Sequence, residues 1–355
     1  MDLMTMDNPR QKEPDVLLPE TVSRRKLPLN IKEADLPLFS HESEKIIPPT
    51  RLLELRDVWV SSDGILFKGG RMRPESFAFP LNRKDWKTRS VLKFFAGNYL
   101  LKSRKTFERE AVWIVDDWSA GYFHWLADAL PRLFTIKHRL NHSTLLLPSQ
   151  HKALEFVQPT LRPFDVRETV FIEPNEVFLC RKLVVPTQTA PSGHYREETI
   201  RAVGKLLSDF YGTAPGSAEC ADRVYISRSR ARKRKVLNED EVVTTLREFD
   251  YKIINAEDYS FEQQVKIASA ARYLISNHGA GLTNMLFMRP GGSVLELRHN
   301  TDRINNCYFT LASALNHRYF YQTCAPENRD EDPHNANLFV DVAALRANLK
   351  LMLQP

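Results

Sequence analysis

The amino-acid sequence predicts an α/β protein built from two Rossmann-like halves, and three observations carry that expectation. The 355 residues exceed the size at which one hydrophobic core stops growing. Apolar strand-like runs alternate with helical runs in two successive series, the pattern of parallel sheets with helices between their strands. Between the series, 212–221 holds Gly, Pro, Ser and Thr with hardly a large apolar side chain, which marks a domain boundary.

Residues 1–50 carry charges of both signs and are interrupted by seven prolines between Pro9 and Pro49, so they are expected to form an extended or disordered arm draped over the body. The first domain is expected over 51–212. Its opening segments, 57–60 and 64–68, are separated by Asp63-Gly64 and Gly69-Gly70 and predict small hairpin strands. Strands at 111–115, 143–147 and 177–185 then alternate with helices at 122–140, 150–161 and 195–211. The second domain, 213–335, repeats the rhythm: strands at 223–227, 251–255, 272–276, 293–297 and 318–321, and helices at 238–249, 261–271 and 304–315. Asn238 is an N-cap candidate ahead of three acids, which the helix dipole favours there. Ser260 with Gln263 predicts a capping box. A last helix is expected within 336–355.

A net charge of +6 and a pI near 9.0 favour anionic partners, among them nucleic acids, acidic headgroups and nucleotide diphosphates. Cys180, Cys220, Cys307 and Cys324 have no C-x-x-C spacing, so they are expected as reduced thiols in a cytosol rather than a zinc ribbon or a disulfide framework. Residues 1–10 do not resemble a secretory signal, and no apolar stretch is long enough to cross a bilayer, which predicts a soluble chain. The sequon at Asn141-His142-Ser143 is too short to outweigh this.

The most informative stretch is 272–299, RYLISNHGAGLTNMLFMRPGGSVLELRH. A strand leads into a glycine-bearing turn and then a helical segment, whose unpaired amides make an anion cradle. Gly279 and Gly281 allow close backbone approach, and His278 can bond a phosphate or sugar oxygen. Asn284 replaces the third glycine of G-x-G-x-x-G, which weakens a nicotinamide reading. A tight turn with a structural histidine fits the same residues.

In 223–235, RVYISRSRARKRK, seven basic residues stand without an acid. Arg228 falls at the carboxyl edge of a strand, where ligands of open α/β sheets bind, and an arginine fork suits a diphosphate. Arg228 and Arg234 are the candidates; the other basic residues fit a solvated loop. Glu296, in the apolar strand SVLEL, needs either an arginine partner or a ribose hydroxyl pair. In 119–132, SAGYFHWLADALPR, His124 and Asp128 stand four apart on one helical face and can pair as base and orienter. Asp330-Glu331-Asp332 has a D-x-D pattern but sits in a polar run, so it is expected as surface loop, and no metal-ligand cluster stands out elsewhere.

Three segments in order, GYFHWLADALPRLF (121–134), VYISRSRARKRKVLNEDEV (224–242) and NHGAGLTNMLFMRPGGSVLEL (277–297), resemble glycosyltransferase family 61. The resemblance spans roughly 111–321. It implies a GT-B-like fold, two Rossmann-like domains facing a cleft, and inverting sugar transfer without an obligatory metal or other cofactor, the nucleotide sugar being a co-substrate. It places Arg228, Arg234, His278, Gly279, Ala280, Gly281, Leu282 and Glu296 at the donor, and matches His124 and Asp128 to the family's H-W-x-x-D. The basic loop between Arg228 and Arg234 is longer than in many members. The lack of an anchor suggests the bacterial capsule or lipopolysaccharide branch, a cytoplasmic enzyme in peripheral contact with the inner membrane face.

The expected function is transfer of a sugar to a hydroxyl of a glycan or glycolipid acceptor. The alternatives are a nucleic-acid or polyanion-binding protein using 223–235, which lacks interleaved aromatics, and another sugar-nucleotide enzyme such as an epimerase. No nucleic acid partner is expected.

Overall fold

The computed structural model describes residues 14–79, 88–212, 220–328 and 331–354 of the chain. It is a mixed α/β structure with two large sheets. The strands in order are β1 (Asp15–Leu18), β2 (Thr21–Arg24), β3 (Glu44–Ile47), β4 (Thr50–Ser61), β5 (Leu66–Lys68), β6 (Arg71–Met72), β7 (Ser103–Val112), β8 (Thr144–Pro148), β9 (Glu168–Ile172), β10 (Glu176–Pro186), β11 (Arg223–Ser227), β12 (Lys252–Asn255), β13 (Tyr273–Asn277), β14 (Ser293–His299), β15 (Arg318–Pro326) and β16 (Leu338–Phe339).

The first sheet runs β6-β5-β4-β10-β7-β8-β9, with β1 added on β4. Its β10-β7-β8-β9 portion is parallel and its β4 side antiparallel. The second sheet runs β12-β11-β13-β14-β15-β16 and is parallel except for β16. The central strands are buried on both faces, as parallel strands covered on both sides are: β8, TLLLP, and β14, SVLELRH, are buried at every residue, and β14 carries the buried charges Glu296 and Arg298.

Most strands of the two series appear near their expected places, but the one expected at 111–115 runs instead over Ser103–Val112, whose first eight residues include no buried one and so gave no apolar run to read. The segments 57–60 and 64–68 are parts of a larger ribbon, since β4 runs through twelve residues and pairs with β10 along most of its length. Ile172 is the one fully buried residue of β9, ETVFI, so the strand lacks the buried run of its neighbours and carries little local signal. The expected helix at 122–140 is broken: Tyr122–His124 is followed by a wide turn over Trp125–Ala129 and a regular turn over Leu130–Thr135. Pro131, lacking an N–H and clashing with the preceding turn, accounts for the widening. The boundary expected at 212–221 falls mostly on 213–219, outside the described residues.

From residue 14 onward the arm is ordered. It adds β1 to the first sheet, forms the β2-β3 ribbon, and then crosses to the second sheet, where the Leu29 amide donates to the Tyr319 carbonyl (2.9 Å) and Tyr321 Oη to Asp35 (2.6 Å). Phe39 is fully buried against the rings of Phe309 and Tyr321, at 5.1 and 4.8 Å. Asn238 does not cap its helix. Its side-chain amide instead clamps both backbone groups of Val340 (2.9 and 3.0 Å), tying 239–248 to the last helix, Val342–Met352, which Asp341 caps. The Ser260–Gln263 capping box is present.

Candidate active site

Two adjoining cavities, of about 710 and 230 Å³, open where the halves meet, and Tyr122 and Ala280 line both. Tyr122 ties the halves together by donating to Asn284 Oδ1 (2.7 Å), which sits in the turn after β13.

On the first-half wall of the larger cavity, His124 Nδ1 lies 2.8 Å from Asp128 Oδ2, and Ser192 Oγ donates to the same oxygen at 2.7 Å. Asp128 is buried, and that burial raises its pKa against the opposing pull of His124 and Ser192. His124 remains partly accessible. The pair is therefore an imidazole in the cleft with a carboxylate behind it, the arrangement of a base and its orienter. The wide turn over 125–129 does not separate them.

On the second-half wall stand Arg234 and His278. His278 Nδ1 meets Glu296 Oε1 at 2.5 Å, and Tyr319 Oη donates to Glu296 Oε2 at 2.5 Å. Glu296 is 0% exposed, so its oxygens are engaged inside the protein rather than offered to a ribose. Burial alone would raise its pKa; the nearby His278 and Arg298 charges and the Tyr319 bond outweigh this and hold it below the ordinary carboxylate value. Glu296 reaches the cleft only through His278.

Arg228 lines the smaller cavity. Neither Arg228 nor Arg234 meets a carboxylate among the described residues, and the Nε of each is buried without a partner. Burial, and next the like charge of Arg234, lowers the Arg228 pKa. Two neighbouring uncompensated cations in a cleft favour an anion. Arg234 takes a left-handed backbone (φ 58°), and its carbonyl is held by the Asn277 side chain. The rest of the basic loop is tied elsewhere: Arg230 pairs with Asp258, and Lys233 Nζ bonds Asn335 (3.0 Å).

Gly279 is extended (φ 164°), so its backbone needs no glycine, but a Cβ there would fall 2.4 Å from Arg228 Nη1 and 2.7 Å from its Cζ and would displace the guanidinium. Ala280 and Gly281 line the smaller cavity at the start of the turn Ala280–Phe287, and their amides meet no acceptor among the described residues. Leu282 departs from the expected cradle. It is fully buried and its amide is spent on the Gly279 carbonyl (2.9 Å), so the available amides end at Gly281.

Several lining residues were not picked out from the sequence. Glu257, just beyond β12, lines the smaller cavity; an acid past the second strand of a parallel series was the signal available for it. Ser192 is sixty-four residues from Asp128 and gave no local signal. Of Asp330-Glu331-Asp332, Asp330 lies outside the described residues, and Asp332 accepts the His334 amide (2.8 Å) in a surface loop. Among the described residues no helix is long and apolar enough to cross a membrane.

Parts of the chain are similar to known proteins. A stretch of 98 residues is 38% identical to the EGF domain-specific O-linked N-acetylglucosamine transferase of Drosophila melanogaster, covering 27% of this chain and 18% of that protein. Another of 143 residues is 31% identical to protein O-linked-mannose beta-1,4-N-acetylglucosaminyltransferase 2 of Bos taurus, covering 38% and 24%. The chain spans about a fifth of the length of the relatives it matches. These relatives are animal transferases and not the bacterial capsule or lipopolysaccharide enzymes expected from the sequence. Residues 122–295, which hold every residue of both His–carboxylate pairs except Glu296 together with the arginines and the turn, match the model of the family Glycosyltransferase 61.

Proposed function

We propose that the chain is an inverting glycosyltransferase that moves a sugar from a nucleotide-sugar donor to a hydroxyl of a glycan or glycolipid acceptor, and that its two sheets form a GT-B-like pair of Rossmann-like domains around the cleft. The carrying observation is the pair Arg228 and Arg234, two guanidinium groups without a carboxylate partner beside the open amides of Ala280 and Gly281. That set suits a diphosphate, whose two charges the forks and amides meet together.

In this reading the nucleoside occupies the smaller cavity, with Glu257 accepting from ribose hydroxyls and Tyr122 and Phe156 as its aromatic wall. The sugar extends past Ala280 into the larger cavity. An acceptor oxygen attacks the anomeric carbon while the bond from that carbon to the diphosphate breaks. His124 takes the acceptor's proton, with Asp128 holding its ring. Arg228, Arg234 and His278 stabilise the departing diphosphate electrostatically, which requires no metal ion and no other cofactor. The names of the relatives make N-acetylglucosamine the first donor sugar to try. The buried thiols Cys180 and Cys324 suit a reducing, cytoplasmic setting.

The test is a thermal-shift panel of nucleoside diphosphates and nucleotide sugars against the full chain, since a ligand of the native state raises its melting temperature. A shift with at least one diphosphate, abolished in Arg228→Ala and Arg234→Ala, is expected. No shift in the unmodified protein, or a shift that survives both substitutions, overturns the donor site.

A further inference from the structure

The larger cavity carries a feature the donor does not use. Trp118 and Phe79 are 41% and 38% exposed, line the larger cavity, and pack edge to face with centroids 5.0 Å apart. The Trp118 ring in turn meets the His124 ring at 4.9 Å. Large apolar side chains left open to a cleft mark a binding surface when they are held in place. These are held: the Trp118 amide donates to Asp116 Oδ1 (3.1 Å), which also accepts from Ser119 Oγ (2.8 Å). The segment carrying Phe79 is tied to the same turn twice, by the Ala78 amide to Asp117 Oδ1 (2.8 Å) and the Asp117 amide to the Ser76 carbonyl (3.0 Å).

We infer that Trp118 and Phe79 form the acceptor subsite and that its occupant is a neutral pyranose ring stacked on the indole, so that the acceptor is a pyranoside rather than a bare serine or threonine hydroxyl. A pyranose has one face of C–H groups, which lies against an aromatic surface, and a rim of hydroxyls directed sideways. With the ring on Trp118, that rim faces the neighbouring His124 imidazole. The two rings themselves carry no charge, so they favour a neutral sugar, while Arg228, which meets the phosphate, lines the other cavity. The inference rests on the proposed transferase reading, which it deepens.

The test is saturation-transfer NMR with methyl glycosides of glucose, galactose, mannose and N-acetylglucosamine, each with and without a nucleoside diphosphate, on the full chain and on Trp118→Ala and Trp118→Phe. At least one glycoside should show transfer strongest at its ring C–H protons, fall at least tenfold in Trp118→Ala and recover in Trp118→Phe, with the nucleoside diphosphate shift of all three proteins equal. That equal shift also reports that the variants are folded. Binding undiminished in Trp118→Ala, or no glycoside bound while a serine- and threonine-containing peptide binds, overturns the platform. Trp118-dependent glycoside binding with no diphosphate shift in any protein would sustain the platform and sink the donor reading alone.

Discussion

His278 and Glu296 face each other across 2.5 Å at the floor of the cleft, and the carboxylate behind the ring is wholly buried. Its second oxygen is taken by Tyr319, and Arg298 supplies a further nearby cation. Because the folded-state pKa of Glu296 is depressed, its charge stabilises the protein above the unfolded value of about 4.3 and that contribution is lost as pH falls through the lowered folded value. Glu296→Gln leaves a buried imidazole and guanidinium without their anion. The expected cost at pH 7 is about 3 kcal/mol, read from urea unfolding. The difference from the unmodified chain should shrink towards pH 3. A difference that is the same at pH 7 and pH 3 would show that the charge is not its source.

The His124–Asp128 pair predicts the opposite sign. Asp128 has its pKa raised by burial, so it favours the protonated form in the folded state; that stability is present below the unfolded value of about 3.9 and lost as pH rises through the folded value. Asp128→Asn removes a charge that is costly at neutral pH. Its melting temperature at pH 7 should equal or exceed that of the unmodified chain, while sugar transfer falls by about 10²-fold or more through loss of the oriented base. Retained transfer would remove Asp128 from the chemistry.

The parts of this molecule legible in its sequence are those set by neighbours along the chain. β11 occupies 223–227 because VYI is a short apolar run between polar ends, and Ser260 caps its helix because Gln263 stands three residues later. Arg228 follows β11 for the same local reason. What was not legible depends on distant partners. Phe39 is buried only because Phe309, Tyr319 and Tyr321 receive it, so a proline-rich arm without periodicity still packs. Asn238 reads as a cap, yet Val340, about a hundred residues on, takes both ends of its amide. Glu296 was open between a ribose and a protein partner; the register of β14 beside β15, which sets Tyr319 within reach, engages it internally.

His317 gives the fold an acid sensitivity independent of the cleft's carboxylates. It is 8% exposed, and its Nε2 lies 3.0 Å from the Met285 carbonyl, at the far end of the donor turn. Burial depresses its pKa to about 4. The unfolded chain binds this proton near pH 6.5 and the folded chain does not until about pH 4, so the stability is present above 6.5 and lost as pH falls through that window. The loss is about 3 kcal/mol. His317→Gln, which keeps a donor for Met285, should flatten the dependence of urea midpoint on pH between 6.5 and 4. An unchanged slope would assign the sensitivity elsewhere.

Gly279 and Arg228 are expected to act as one unit. The guanidinium occupies the space where a Cβ on residue 279 would stand, 2.4 Å from Nη1 and 2.7 Å from Cζ. Arg228→Ala should weaken nucleoside diphosphate binding about 10- to 100-fold, the worth of a hydrogen bond to a charged group. Gly279→Ala leaves the arginine in place chemically but drives it off its seat, and should approach the same loss. If both act on one phosphate contact, the double variant is no weaker than Arg228→Ala alone, giving a coupling energy close to the full effect of either. Calorimetric titration of the four proteins with one nucleoside diphosphate decides it. Losses that add would mean that Gly279 serves the ligand through its own backbone approach and that the arginine's position is incidental to it.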